Sequence, residues 1–150
     1  MSKTMKAAIA GVAIALITAG TAVANHLNEE TAYAALHDEY GYIYEANCGA
    51  KVGIYLDFES FKPHYKRPYD IDEVVNYCGE GVSAIGLLCR DNPNYSTAVR
   101  SSIEIYSCHW NEHALDGPSI ALQNNQLFIG VNWKTPNVST EIYHWIRDNL

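Results

Sequence analysis

The chain has 150 residues, with seventeen acidic and ten basic side chains, a formal net charge of −7 at pH 7, and four cysteines. An acidic balance of this size argues against nucleic acid and against an anionic membrane surface as partners. The length is that of one domain.

The first residues read as an address. Lys3 and Lys6 precede an apolar run from Ala7 to Ala19, broken only by Gly11 and Thr18, and Ala22-Val23-Ala24 supplies small residues for cleavage. This predicts a secretory signal peptide over residues 1–24 and a single α+β domain over 25–150. The run is short for a membrane span of about 20 residues. The product is therefore expected to be exported, to the periplasm or the extracellular space, with no membrane contact after cleavage. Cleavage removes two basic residues and no acidic one, which takes the net charge from −7 to −9. An exported chain with an even cysteine count favours two disulfides. No cysteine pair has the C-x₂₋₄-C spacing of a zinc site, and no cofactor is expected.

Asn28 to Asn47 reads as a first helix. Asn28 can cap it, Glu29 and Glu30 suit the positive end of its dipole, and Tyr33, Leu36, Tyr40, Ile43 and Asn47 recur at helical spacing before Gly49 ends it. Val52 to Phe58 alternates, with Val52, Ile54, Leu56 and Phe58 on one face, as in a half-buried strand. Ser60 to Tyr69 reads as a loop with two prolines and the basic trio Lys62, Lys66 and Arg67.

The stretch Asp70 to Cys89 predicts a long helix around which the rest is organised. Ile71, Val74, Val75, Cys78, Val82, Ile85 and Cys89 share one stripe, and Asp70 with Glu73 has the form of a capping box. Gly79 and Gly81 inside it open no helix, so they are no phosphate cradle and would instead admit a close neighbour. A short helix over Pro93–Arg100 and a strand over Ser101–Trp110 follow. Ser119 to Trp133 is a hairpin turning at Asn124-Asn125, with Leu122 opposite Leu127, Ile120 opposite Ile129 and Ala121 opposite Phe128. Thr135-Pro136 opens a last helix with Val138, Ile142, Trp145, Ile146 and Leu150 on its stripe. The order α-β-α-(α)-β-β-β-α predicts an α+β fold: a mostly antiparallel sheet of about four strands with helices packed on one face, stapled by disulfides.

Cys78 and Cys89 lie about 16 Å apart along one helix, too far to pair with each other. The first strand runs about 25 Å away from Cys48 and the long helix returns about 30 Å, which favours Cys48–Cys89 with Cys78–Cys108. Against the second bond, Cys108 is out of phase with Ile103 and Ile105 on a common strand, and a bulge would be needed. The alternative is Cys48–Cys78 with Cys89–Cys108.

No residue stands out as catalytic. His109-Trp110-Asn111-Glu112-His113 matches H-x-x-E-H by letters, but His109 ends a strand pattern and Asp116-Gly117-Pro118 stops any helix. His109 and His113 are thus at most a weak metal pair. Asp57 and Glu59 are a carboxylate pair of the kind expected by chance in an acidic chain. The better candidates are contact residues for a protein partner: His64, Tyr65, Lys66, Arg67 and Tyr69 in the basic loop, and Tyr40, Tyr42 and Tyr44 in the first helix. Tyrosine brings contact area at low entropic cost. The expected function is a small exported binding protein of inhibitor, immunity or accessory type. Its rivals are a small metal- or carboxylate-dependent hydrolase and a structural envelope component.

Overall fold

The computed structural model describes residues 28–150; the expected signal segment lies outside them. Helix α1 (Glu29–Leu36) starts from a capping box in which Asn28 and Thr31 exchange hydrogen bonds. A π-helical segment (His37–Gly41) joins it to α2 (Tyr42–Cys48), which ends at Gly49 with φ 75°. Of the expected stripe, Leu36 is buried and Tyr33, Tyr40, Ile43 and Asn47 are half-buried; Ala32, Tyr44 and Cys48 are buried beside them. The fully buried set Ala32, Leu36, Tyr44 and Cys48 is spaced in multiples of four, which drifts around a 3.6-residue helix, and the wider π segment takes up part of the drift.

Strand β1 (Gly53–Leu56) follows, and Phe58 already belongs to the short helix α3 (Phe58–Phe61), which continues into a 3₁₀ turn (Lys62–His64). Half of the expected loop is therefore helical, and Phe61 is fully buried. The long helix α4 (Asp70–Asp91) buries every residue of the expected stripe. Three glycines let its neighbours come close. A Cβ at Gly79 would meet the Tyr40 ring at 2.4 Å, one at Gly81 the Tyr106 hydroxyl at 2.1 Å, and one at Gly86 the Ile43 carbonyl at 2.8 Å. Helix α5 (Asn94–Ser102) leads to β2 (Ile105–Trp110), then β3 (Ser119–Gln123), β4 (Gln126–Val131) and α6 (Val138–Asn149).

The fold is α+β with a four-stranded sheet, in the order β1-β2-β4-β3. The expectation of a mostly antiparallel sheet is corrected. β1 pairs with β2 and β2 with β4 in parallel, and only the β3–β4 hairpin is antiparallel. The connection from β1 to β2 runs through α3, α4 and α5, and a strand–helix–strand crossover returns the second strand parallel to the first. The hairpin pairs as expected, with Asn124 and Asn125 at φ 50° and 60° in its turn.

Both disulfides are present, Cys48–Cys89 and Cys78–Cys108, with Cα atoms 5.1 and 5.8 Å apart. They tie α4 to the chain before it and the chain after it. No bulge is needed for the second. Ile103 belongs to the end of α5, not to the strand, and Ile105 faces outward, 40% exposed. Tyr106 and Cys108 then point inward together, and the Tyr106 hydroxyl donates to the Cys78 carbonyl at 2.8 Å. Ile54, Leu56, Tyr106, Cys108, Leu127 and Ile129 line this inner face and are buried. The other face carries Tyr55, 52% exposed, beside Ile105. No helix among the described residues is long and apolar enough to cross a membrane.

Candidate functional site

Three parallel strands send their carboxyl ends to one edge of the sheet, and the loops after β1, β2 and β4 meet there. In open α/β sheets this is the edge at which ligands bind. Each loop is tied to another by hydrogen bonds. The Trp110 N–H donates to Ser60 Oγ at 2.9 Å, and Ser60 Oγ donates to the Asp57 carbonyl at 2.7 Å, joining the ends of β1 and β2. The Trp133 indole N–H donates to the His64 carbonyl at 3.1 Å, joining the loop after β4 to the loop after β1. Asn132 Nδ2 donates to the Asn111 carbonyl at 2.9 Å, and Thr135 Oγ1 to the Ala114 carbonyl at 2.7 Å, joining the loops after β4 and β2. The Tyr77 hydroxyl, from α4, donates to the Trp133 carbonyl at 2.9 Å.

Between these loops lies an open groove of ≈ 290 Å³. Trp110 and Trp133 form its aromatic wall, with ring centroids 5.2 Å apart in an edge-on arrangement. His64 stacks on Trp110 at 3.9 Å and 10° between planes. Phe61 packs behind both tryptophans, at 6.0 and 5.9 Å. Leu115, 55% exposed, is the apolar residue at the rim. The charged lining residues are Lys66, Lys134 and Glu112.

The charges are unevenly satisfied. Lys62 is paired with both Glu29 and Glu59, and their carboxylates raise its pKa. Arg67 bonds Asp70 at 2.8 Å, and its guanidinium lies 4.4 Å from the Tyr69 ring centroid. Glu112 lies 3.3 Å from the imidazole of His113, a residue that does not line the groove. Lys66 and Lys134 form no salt bridge with any described residue, and residues 1–27 contain no acid that could supply one.

Asp70 is the anchor of the loop that carries Lys66. It does not cap α4 as expected: it is the first helical residue, and Tyr69 holds the cap position without a side-chain bond. Its carboxylate turns back instead, accepting from the backbone N–H groups of Lys66 at 2.6 Å and Arg67 at 3.0 Å, and from Arg67 Nε. Burial alone would raise its pKa, but these bonds together hold it below the ordinary carboxylate value.

The expected contact residues fall in two places. His64 and Lys66 line the groove. Tyr65 is half-buried with its ring 6.4 Å from Trp133, and burial raises its pKa. Arg67 and Tyr69 stack on each other away from the lining, Tyr69 being 48% exposed. Tyr40, Tyr42 and Tyr44 do not share a surface. Tyr44 is in the core, where burial pushes its phenol up to about 12, Tyr40 packs over Gly79, and Tyr42 is 69% exposed.

His109 and His113 are also apart. His109 is in β2, beside Ser119 over Gly130, and burial lowers its pKa against the opposing pull of Asp57. His113 sits in an exposed turn. Among the described residues no cluster of three or more His, Cys, Asp or Glu could hold a metal.

The groove residues not expected from the sequence are Trp110, Trp133, Leu115, Glu112 and Lys134 as a set. A signal for them existed: Trp110 and Trp133 each fall at or just past the end of a strand, and parallel pairing puts those ends side by side.

The chain matches no protein-family model, and no curated protein or solved structure matches it significantly.

Proposed function

We propose that the protein is exported by cleavage of residues 1–24, to the periplasm or the extracellular space, and acts by binding another protein through this groove. Two disulfides suit an oxidising compartment. The observation that carries the binding role is a preformed aromatic groove rimmed by two unpaired lysines in an otherwise acidic chain. Aromatic walls held by hydrogen bonds lose little freedom on binding, which is the arrangement of an interface hot spot.

The test is site-specific photo-crosslinking in the organism that makes the protein. A photoreactive residue at Leu115 is expected to trap one protein, and the adduct is expected to disappear when Lys66→Glu and Lys134→Glu are added. The same group at exposed Tyr42, outside the groove, is the control. Equal adducts from both positions, or none from Leu115, would reject the groove as the contact.

A further inference from the structure

Building on that binding role, we infer that the segment entering the groove is acidic and presents one large apolar or aromatic side chain flanked by carboxylates.

The charge pattern selects the sign. Residues 25–150 hold eight basic side chains. Lys62, Arg67, Arg90 and Arg147 are in salt bridges, and Arg100 donates to the Cys48 carbonyl. That leaves Lys51, Lys66 and Lys134, and two of these three line the same groove. The lining holds one acid, Glu112, against these two lysines. Elsewhere the surface is predominantly negative and repels a carboxylate-bearing segment. The groove is therefore where such a segment is tolerated, and that contrast fixes its position.

Two further observations describe the apolar part. The volume of ≈ 290 Å³ is at the small end for ligand pockets, suited to one large side chain and not to a nucleotide-sized cofactor. Its wall is two indole rings, and its rim is exposed Leu115. The two lysines are donors, and a segment with carboxylates brings the acceptors they lack.

The three tryptophans provide the readout, since each gives one indole N–H signal and Trp145 lies on α6, outside the groove. The ¹⁵N-labelled protein is titrated by NMR with three unlabelled peptides, GDEFEDG, GDEGEDG and GKKFKKG. GDEFEDG is expected to move the Trp110 and Trp133 indole signals to saturation and leave Trp145 in place. Lys66→Ala with Lys134→Ala is expected to weaken it about five- to tenfold, the size of two exposed ion pairs. Both positions are exposed, so the variant keeps the fold. Equal or tighter binding of GKKFKKG at the same signals would overturn the acidic chemistry while leaving the groove a binding site. Equal binding of GDEGEDG would overturn the apolar anchor. No movement of Trp110 or Trp133 with any of the three would overturn the groove as a binding site altogether.

Discussion

Asp70→Asn tests the anchor that holds the Lys66 segment beside the groove. The substitution keeps size and shape and removes the charge. In the native protein the carboxylate, with a side chain only 3% exposed, accepts from two backbone N–H groups at 2.6 and 3.0 Å. Hydrogen bonds to a charged acceptor contribute about 1.5–3 kcal/mol each, and a neutral one about 1 kcal/mol. Asparagine keeps one acceptor oxygen and turns an NH₂ group towards the remaining donors. The expected loss is about 2–3 kcal/mol, taking the lower values because Lys66 and Arg67 are at the surface. With a urea m-value of about 1–3 kcal/mol/M, the unfolding midpoint should fall by about 0.7–3 M.

The effect has a sign in pH. The folded pKa of Asp70 lies below its unfolded value, so its contribution is complete above the unfolded pKa of about 4 and is lost as pH falls through the lower folded value. Urea unfolding of both proteins from pH 7 to pH 2 should show a constant gap that closes below about pH 4. At pH 7 the variant should also bind the acidic peptide more weakly, although both groove lysines remain, because the Lys66 segment is no longer held. A gap under 0.5 kcal/mol at pH 7, or one that persists unchanged to pH 2, would refute the role given to Asp70.

Three other outcomes are expected. Gly86→Ala should destabilise the protein by about 1–2 kcal/mol in urea unfolding: alanine improves helix propensity by about 1 kcal/mol, but its Cβ would sit 2.8 Å from the Ile43 carbonyl oxygen, and overpacking of this kind costs more. A more stable variant would contradict the close approach of α2. Replacing Cys48 and Cys89 together by alanine should cost about 4 kcal/mol, the loop-closure term for a bond between residues 41 apart, and an unchanged midpoint would contradict it. Asn125→Val should lower the melting temperature, because a β-branched residue at φ 60° costs about 1–3 kcal/mol; no change would mean that the turn is not held in this geometry.

Much of the local structure was legible because it follows from short-range rules. The α4 stripe shows in the spacing of seven apolar residues, all of them buried. The hairpin register follows from two asparagines that tolerate positive φ between matched alternating runs. The first helix was legible in its cap, its end and its half-buried stripe, but not in the π segment or the full burial of Tyr44, which depend on packing against α4. The limits of β2 were misread because Ile103 has the look of a strand residue and takes its burial from the end of α5. Asp70 was misread because an acid at a helix start has two sets of N–H groups within reach, those ahead and those behind, and only the folded loop shows that it takes the second.

The direction of the strands matters most for function. Had β1, β2 and β4 alternated in direction, the loops after β1 and β4 would lie at one edge and the loop after β2 at the other. Trp110 would then be a sheet length from Trp133, and Lys66 would have no wall opposite it. The helices between β1 and β2 supply the crossover that a parallel pair requires, and β4 runs parallel to β2 because β3 reverses the chain between them. Together these pairings place Trp110, Trp133 and the basic loop at one edge. The groove is thus a consequence of topology, and the loops have only to supply the residues. That is why substitutions in the loops, at Lys66, Leu115 or Lys134, are expected to change what is bound, whereas substitutions along α4 change whether the edge exists at all.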